Sequence, residues 1–502
     1  MTLGLRPNTS DYLLADAAAD AVAVVEAGER YTYGQLRAAA GRLAAELAAL
    51  ELPPSSRVGV LGPNSFFWVA AYLAVMKLGH VAVPISDKLA PGDVRRNADI
   101  AGCAAAFADR RALRRLSAAF GDGVTVLTDE ALRSGREPYW PSPVPADPGA
   151  DAVLMFTSGT TSRPKAVRVT HGNIQANTDS IIMYLELHRN DRVLVILPFF
   201  YCYGVSLLHT HLRRGGRVVL CNSFVFPETA LDLLEQEECT VLAGVPSSFQ
   251  LLLRASTFAR RALPSLRLIQ QAGGKLPPVL IEELLAAQPA AKLFVMYGQT
   301  EATARLSYLP PDQIQAKPGS IGRGIPGVEL RVLNENREPV RPGERGEIYA
   351  TGANISPGYY LDPEGSAVKF TPYGLRTGDL AVVDEDGDIF IVDRRDDFIK
   401  SWGHRVSSQE VEAAALQMER LVSTAVVGVP DDEAGEAVTL FVTARPGAEV
   451  TPAEVLAVCR QHLPKHMVPR SVHVLDALPL TASGKIAKPR LREMASARAA
   501  AQ

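Results

Sequence analysis

Apolar and polar positions alternate along this chain in two rhythms. After "RYTYGQL", the stretch "GQLRAAAGRLAAELAAL" carries leucines at helical spacing, and Thr32 and Gln35 stand in capping-box register before it, which predicts a helix. Next, "RVGVLGPNSFFWVAAYLAVMKLGHVAVPI" reads as a short apolar run, a Gly-Pro-Asn turn, a helical segment and a second apolar run, the pattern of a β-α-β unit. The same alternation returns at "DRVLVILPF", "RVVLCN", "TVLAGVPSSFQLLLR", "LRLIQQAGG" and "AKLFVMYG". Strands alternating with helices predict largely parallel sheets covered on both faces, hence an α/β fold.

From about residue 319 the texture changes to short strands rich in Gly, Pro and charge, as in "GVELRVLNENREPVRPGERGEIYATG", which predicts a β-rich subdomain. The charged stretch "DEDGDIFIVDRRDDFIKSWGHRV" reads as a solvated hairpin leading into a connection. Beyond it, "SSQEVEAAALQME", "LVSTAVVGVP", "AVTLFVTA", "TPAEVLAVCRQHL" and "SVHVLDALP" have the mixture expected of a compact α+β unit. The expected organisation is a large N-terminal domain, residues 1–395, followed by a small mobile C-terminal domain, residues 396–502.

Composition narrows the function classes. With 502 residues, 47% hydrophobic content and a formal net charge of -3, the chain has material for a large core and no Lys/Arg block for a nucleic-acid backbone. Small-molecule chemistry is favoured. The five cysteines, Cys103, Cys202, Cys221, Cys239 and Cys459, lack zinc spacing and suit reduced thiols, so a cytoplasmic location is expected. Asp11, Asp16 and Asp20 interrupt the N-terminal stretch, against a signal peptide, and no run reaches the roughly 18 apolar residues of a membrane span.

Candidate chemistry begins at "TSGTTSRPK". Thr157, Ser158, Thr160, Thr161 and Ser162 supply hydroxyls, Gly159 lets backbone N–H groups approach an anion, and Lys165 supplies charge. The stretch suits a polyphosphate; read alone, it favours a polar turn between two strands. A P-loop needs a second Gly before its Lys and a helix after it, whereas Pro164 precedes Lys165 and "AVRVTHGN" reads as a strand. Elsewhere, His209 and His211 lie two apart on a predicted helix and face apart, against a metal pair. "GVPSSF" lacks the glycine of a nucleophile elbow.

Six ordered motifs, "TSGTTSRPK", "YGQTE", "TGD", "DRRDD", "KSWGHR" and "PLTASGK", resemble those of the AMP-forming adenylating superfamily of acyl-CoA synthetases, peptide-synthetase adenylation domains and luciferases. The resemblance runs from "YTYGQL" to the final "SGK" and implies the site residues. Thr157, Ser158, Gly159, Thr160, Thr161 and Lys165 would form a loop closing over ATP phosphates. Tyr297 and Gly298 would lie at adenine, with Gly273 and Gly274 beside adenine and substrate; Thr300 would contact the α-phosphate and Glu301 would hold Mg²⁺. Asp379 would bind the ribose and Arg394 the ribose or phosphates. Lys485 would bridge carboxylate and α-phosphate during adenylation, Gly403 would line the thiol channel after domain rotation, and Asp396 would be its hinge. Read without the motifs, Glu301 is a helix-start acid, Asp379 and Arg394 are surface charges, and Lys485 is an ordinary C-terminal lysine.

Three positions depart from the family pattern: Ser162 and Ala166 replace glycines, and Asp393 replaces the Gly before the hinge arginine. The acid pocket of the family starts at "ILPFFYCYGVSLL", so Tyr201, Cys202 and Val205 are candidate substrate residues as well as candidate core. Amino-acid-activating relatives place Asp where Cys202 stands, and a thiol does not neutralise a buried ammonium, which disfavours an α-amino acid. The implied reaction is ATP-dependent activation of a small-molecule carboxylic acid as acyl-AMP, then transfer to the thiol of coenzyme A. Transfer to the phosphopantetheine of a separate carrier protein, or to an amine, is the alternative. A kinase explains none of the downstream motifs.

Overall fold

In a computed structural model of the chain, residues 8–116, 120–141, 147–157, 164–222, 224, 226–394, 398–431 and 433–499 are described. The predicted first helix is Tyr33–Ala48, and its capping box forms reciprocally, Gln35 N–H to Thr32 Oγ1 and Thr32 N–H to Gln35 Oε1. The predicted β-α-β unit is Arg57–Leu61, Phe66–Lys77 and Val81–Ile85, with its two strands parallel and adjacent.

Among the described residues the strands form three sheets. The first, of six strands, holds this unit and ends at the antiparallel pair Asp151–Thr157 and Lys165–Thr170. The second, of fourteen strands, has at its centre the parallel strands Arg192–Val195, Val241–Gly244, Leu268–Gln271 and Lys292–Tyr297. Its parallel strands all run the same way, so their carboxyl ends make one edge, where open α/β sheets bind ligands. The third, of five strands, lies within Ile399–Val474 and carries its own core around Val411, Val426, Leu440 and Val455.

The β-rich stretch after residue 319 is not a separate sheet. Strand Ser320–Gly324 pairs with Ser307–Leu309 on one side and with Ile389–Arg394 on the other, so the stretch prolongs the parallel sheet. A bulge between Ser320 and Gly322 makes the junction, and Gly322 is required there: at φ +68, a Cβ would lie 2.0 Å from the Tyr308 carbonyl oxygen.

The two large sheets share one core. Helix Phe66–Lys77 is buried on every side, which explains why "FFWVAAYLAVMK" is apolar all round instead of along one stripe. Its buried Lys77 is paired with Asp11 at 2.7 Å, as a desolvated ammonium requires. All five cysteines are buried and none is in a disulfide. Among the described residues no helix is long and apolar enough to cross a membrane.

Candidate active site

Two of the phosphate-loop candidates, Thr157 and Lys165, lie on paired antiparallel strands. They are cross-strand partners, and Thr157 Oγ1 donates to the Lys165 carbonyl at 3.4 Å. Ser158, Gly159, Thr160, Thr161 and Ser162 lie outside the described residues. Ala166 needs no glycine: it pairs with Phe156 in extended backbone and is not among the positive-φ residues. The Lys165 ammonium is 4.6 Å from the centroid of the Tyr359 ring and 3.4 Å from Asp362 Oδ2. The Tyr359 hydroxyl donates to Glu301 Oε1 at 2.7 Å. Lysine and glutamate from two distant motifs are thus joined through one tyrosine that no motif contains.

Strand Lys292–Tyr297 delivers the next group. Tyr297, at its last position, donates its hydroxyl to Asp379 Oδ2 at 2.5 Å, and both residues are buried. Asp379 stands in strand Gly374–Val383, directly opposite Arg394 in the neighbouring strand; the Arg394 side chain lies outside the described set. A Cβ on Gly298 would lie 1.9 Å from the Ala304 carbonyl oxygen, so the chain can reverse here only through glycine. The turn that follows holds Thr300, Glu301 and Thr303, the last at φ 64. Positive φ in a β-branched residue is strained, a condition that concentrates at functional sites. Thr303 is anchored by its hydroxyl on the Asn354 carbonyl at 2.7 Å.

Lys485 arrives from the far end of the chain. Its ammonium lies 5.2 Å from the centroid of the Tyr201 ring. Around Gly273, at φ +89, a Cβ would meet the Tyr201 hydroxyl at 2.9 Å and Lys485 Cε at 3.4 Å, so these three residues converge at one point. Ser247 Oγ donates to the Gly484 carbonyl at 2.7 Å, and Gln271 Nε2 to the Gly274 carbonyl at 2.8 Å. A second tie across the same cleft is Arg254, fully buried, whose Nη1 donates to the Leu421 carbonyl at 2.7 Å and Nη2 to the Leu416 carbonyl at 3.2 Å. Glu283 neutralises it at 2.5 Å. Gly403, by contrast, is exposed at the tip of a hairpin, with nothing within 4 Å of an added Cβ, and Asp396 lies outside the described residues.

Cys202 opens helix Cys202–Arg214, and its sulfur accepts from Thr300 Oγ1 at 3.4 Å. Burial pushes the thiol up, against the Thr300 hydrogen bond and the Lys485 charge. Cys202 and Val205 line an apolar cavity with Tyr72, Val153, Met155, Val169, Ile174, Ser206, His209 and Thr303. His209 is hydrogen-bonded to the Tyr72 hydroxyl at 2.9 Å, and His211 to the Leu207 carbonyl at 2.9 Å, so the two face apart as their spacing predicts. Burial drives both imidazoles down, to about 3 and about 4, and they are neutral core residues. Asp384, Asp386 and Asp388 cluster around the Lys317 ammonium, which is ion-paired with all three, and Arg323 adds a second cation at Asp388.

Sequence reasoning missed Tyr359, Asp362 and Arg254. Tyr359 is separated from Glu301 by 58 positions and lies in no motif, so only the fold could pair them.

Residues 14–360 match the AMP-binding enzyme family, and residues 410–485 match the AMP-binding enzyme C-terminal domain. The chain is 33% identical over 476 residues to a feruloyl-CoA synthase of Amycolatopsis sp, covering 94% of this chain and 95% of that one. It is 32% identical to a 2-succinylbenzoate–CoA ligase of Bacillus pumilus over 94% of both chains. The structure of o-succinylbenzoate coenzyme A synthetase from Bacillus subtilis in complex with ATP and magnesium superposes with a TM-score of 0.84 at 27% identity, covering 97% of this chain and 99% of that one. Matched in both parts and along nearly its whole length, the chain belongs to the AMP-binding enzyme family and is an AMP-forming ligase.

Proposed function

We propose that the chain activates a carboxylic acid with ATP, releasing pyrophosphate, and passes the acyl group from acyl-AMP to the thiol of coenzyme A. In the first half-reaction a carboxylate oxygen attacks the α-phosphorus and the bond to the β-phosphate oxygen breaks. Two anions meet in that step, and a positioned ammonium lowers its barrier electrostatically. The observation that carries this reading is the position of Lys485, delivered by a C-terminal turn against Gly273 and Tyr201, beside the segment holding Thr300. In the second half-reaction the thiol sulfur attacks the acyl carbon and AMP leaves. The names of the relatives, which are CoA ligases, support coenzyme A over a carrier protein or an amine as acceptor.

The remaining roles follow from the same reading. Tyr297 and Asp379 bind the nucleoside, with the Asp379 carboxylate accepting ribose hydroxyls. Lys165, with the hydroxyls of residues 157–161, binds the departing phosphates, and Arg394 assists at the ribose. Glu301 fits Mg²⁺: it is a single, nearly buried carboxylate at the cleft, and one carboxylate with phosphate oxygens and water is the usual ligand set. The ion, when bound, neutralises phosphate charge. The large part, residues 1–395, and the small part, residues 396–502, rotate about Asp396, which exchanges Lys485 for Gly403 at the cleft.

The test is pyrophosphate release across a panel of acids, repeated with coenzyme A. Lys485→Ala is expected to abolish acyl-AMP formation and to spare thiolation of supplied acyl-AMP. Unchanged pyrophosphate release in that variant would sink the assignment.

A further inference from the structure

Among the described residues three arginines are buried: Arg213, Arg254 and Arg305. Arg213 is paired with Asp16 and Arg254 with Glu283. Arg305, 1% exposed, has no carboxylate of the described residues within 4.0 Å. Its guanidinium lies 3.9 Å from the centroid of the Tyr203 ring, its Nε faces Met296 Sδ at 3.5 Å, and its Nη2 has no hydrogen-bond partner. Gln270, also 1% exposed, is a second orphan beside the same ring: its carbonyl accepts the Tyr203 hydroxyl at 2.7 Å, while both atoms of its side-chain amide are unbonded.

A guanidinium does not shed its proton, so a buried one without an anion carries a desolvation cost that an aromatic face only partly offsets. The backbone holds it there nonetheless. The Arg305 carbonyl accepts from Asn177 Nδ2 at 3.2 Å and Asn354 Nδ2 at 2.8 Å, and Thr303, two residues earlier, lines the cavity with Cys202. The Tyr203 ring that carries Arg305 makes an edge contact with the Tyr201 ring at 6.3 Å, and the Tyr201 ring carries Lys485. Two cations therefore stand on two touching rings at the place where the acid is expected.

We propose that Arg305, with the Gln270 amide as a second donor, receives a second carboxylate of the substrate, so that the enzyme selects dicarboxylic over monocarboxylic acids of equal length. The assignment rests on the reading of Lys485 given above: one carboxylate reacts near Lys485, and the other completes the ion pair that the protein leaves open. Arg305 is a specificity determinant and takes no part in bond making.

The experiment compares pyrophosphate release with matched pairs of straight-chain diacids and monoacids, in the wild type, Arg305→Met and Arg305→Lys. In the wild type the best diacid is expected to exceed its matched monoacid in kcat/KM, and in Arg305→Met that ratio collapses by about 100-fold, the size of one lost hydrogen bond between charged groups. Arg305→Lys keeps the charge without the planar fork and retains the preference in reduced form. Wild-type preference for monoacids whose tails suit the apolar cavity, or an equal fall of both acids in Arg305→Met, overturns the proposal. Thermal stabilisation by diacid alone separates the two readings. A rise in Tm for the wild type and none for Arg305→Met supports the Arg305 site, and if pyrophosphate is never released, it is the adenylation reading that has failed. No rise in the wild type with any diacid overturns the Arg305 site.

Discussion

Arg254 offers a test of how the small part is held with Lys485 at the cleft. The side chain is fully buried, two of its nitrogens donate to the Leu416 and Leu421 carbonyls across the cleft, and Glu283 fixes the guanidinium from the large part. Arg254→Met keeps most of the apolar stem and removes both donors, while Glu283, which is 27% exposed, is free to hydrate. Hydrogen bonds from a charged donor contribute about 1.5–3 kcal/mol each, and the carbonyls regain water when the parts separate, so a net loss of about 2 kcal/mol, or about 30-fold in the docking equilibrium, is expected. If acyl-AMP formation needs Lys485 docked, as proposed, it should slow by up to that factor. Thiolation of supplied acyl-AMP, which the proposed rotation assigns to the other arrangement, should change by less than about 2-fold. Single-turnover pyrophosphate release and AMP release from synthetic acyl-AMP measure the two steps separately. Equal losses in both steps, or none in either, would refute the latch.

Asp379→Asn keeps the shape of the buried pair with Tyr297 but removes the charge, and is expected to raise the KM for ATP by about 10-fold or more with little effect on the KM of the acid. Gly298→Ala forces a methyl to 1.9 Å from the Ala304 carbonyl, and a loss of about 1–3 kcal/mol is expected in urea denaturation; a stable variant would mean that the turn can move. Burial lowers His171 and His211 to about 4 and His209 to about 3, below the unfolded value of 6.5. The unfolded state therefore binds protons first on acidification, so the stabilisation is complete above pH 6.5 and is lost as pH falls toward 4. Denaturation midpoints at pH 7 and pH 5 check it, and His209→Gln should flatten the slope.

The local structure of this protein was legible in the sequence. Hydrophobic spacing and the Thr32–Gln35 capping box predicted the helix Tyr33–Ala48, and the alternation of apolar runs predicted the parallel strands, because both are properties of neighbours in the chain. The motifs also singled out Lys165, Tyr297, Glu301, Asp379 and Lys485 as candidates, because short-range spacing keeps a motif intact. What spacing does not encode is which distant groups meet. The Tyr359 bridge from Lys165 to Glu301, the Tyr297–Asp379 hydrogen bond and the Arg254 tie all join residues far apart in sequence. The pattern marked the stretch after residue 319 as β-rich but not that strand Ser320–Gly324 joins it to the parallel sheet, since strand pairing depends on backbone partners and not on side-chain pattern. Arg305 shows the difference most clearly: in "TARLSY" it is an arginine like any other, and only its enclosure by Tyr203 and Met296, with no acid of the described residues beside it, makes it a charge awaiting a partner. Burial and compensation are properties of the assembled interior, so only the tertiary structure could decide them.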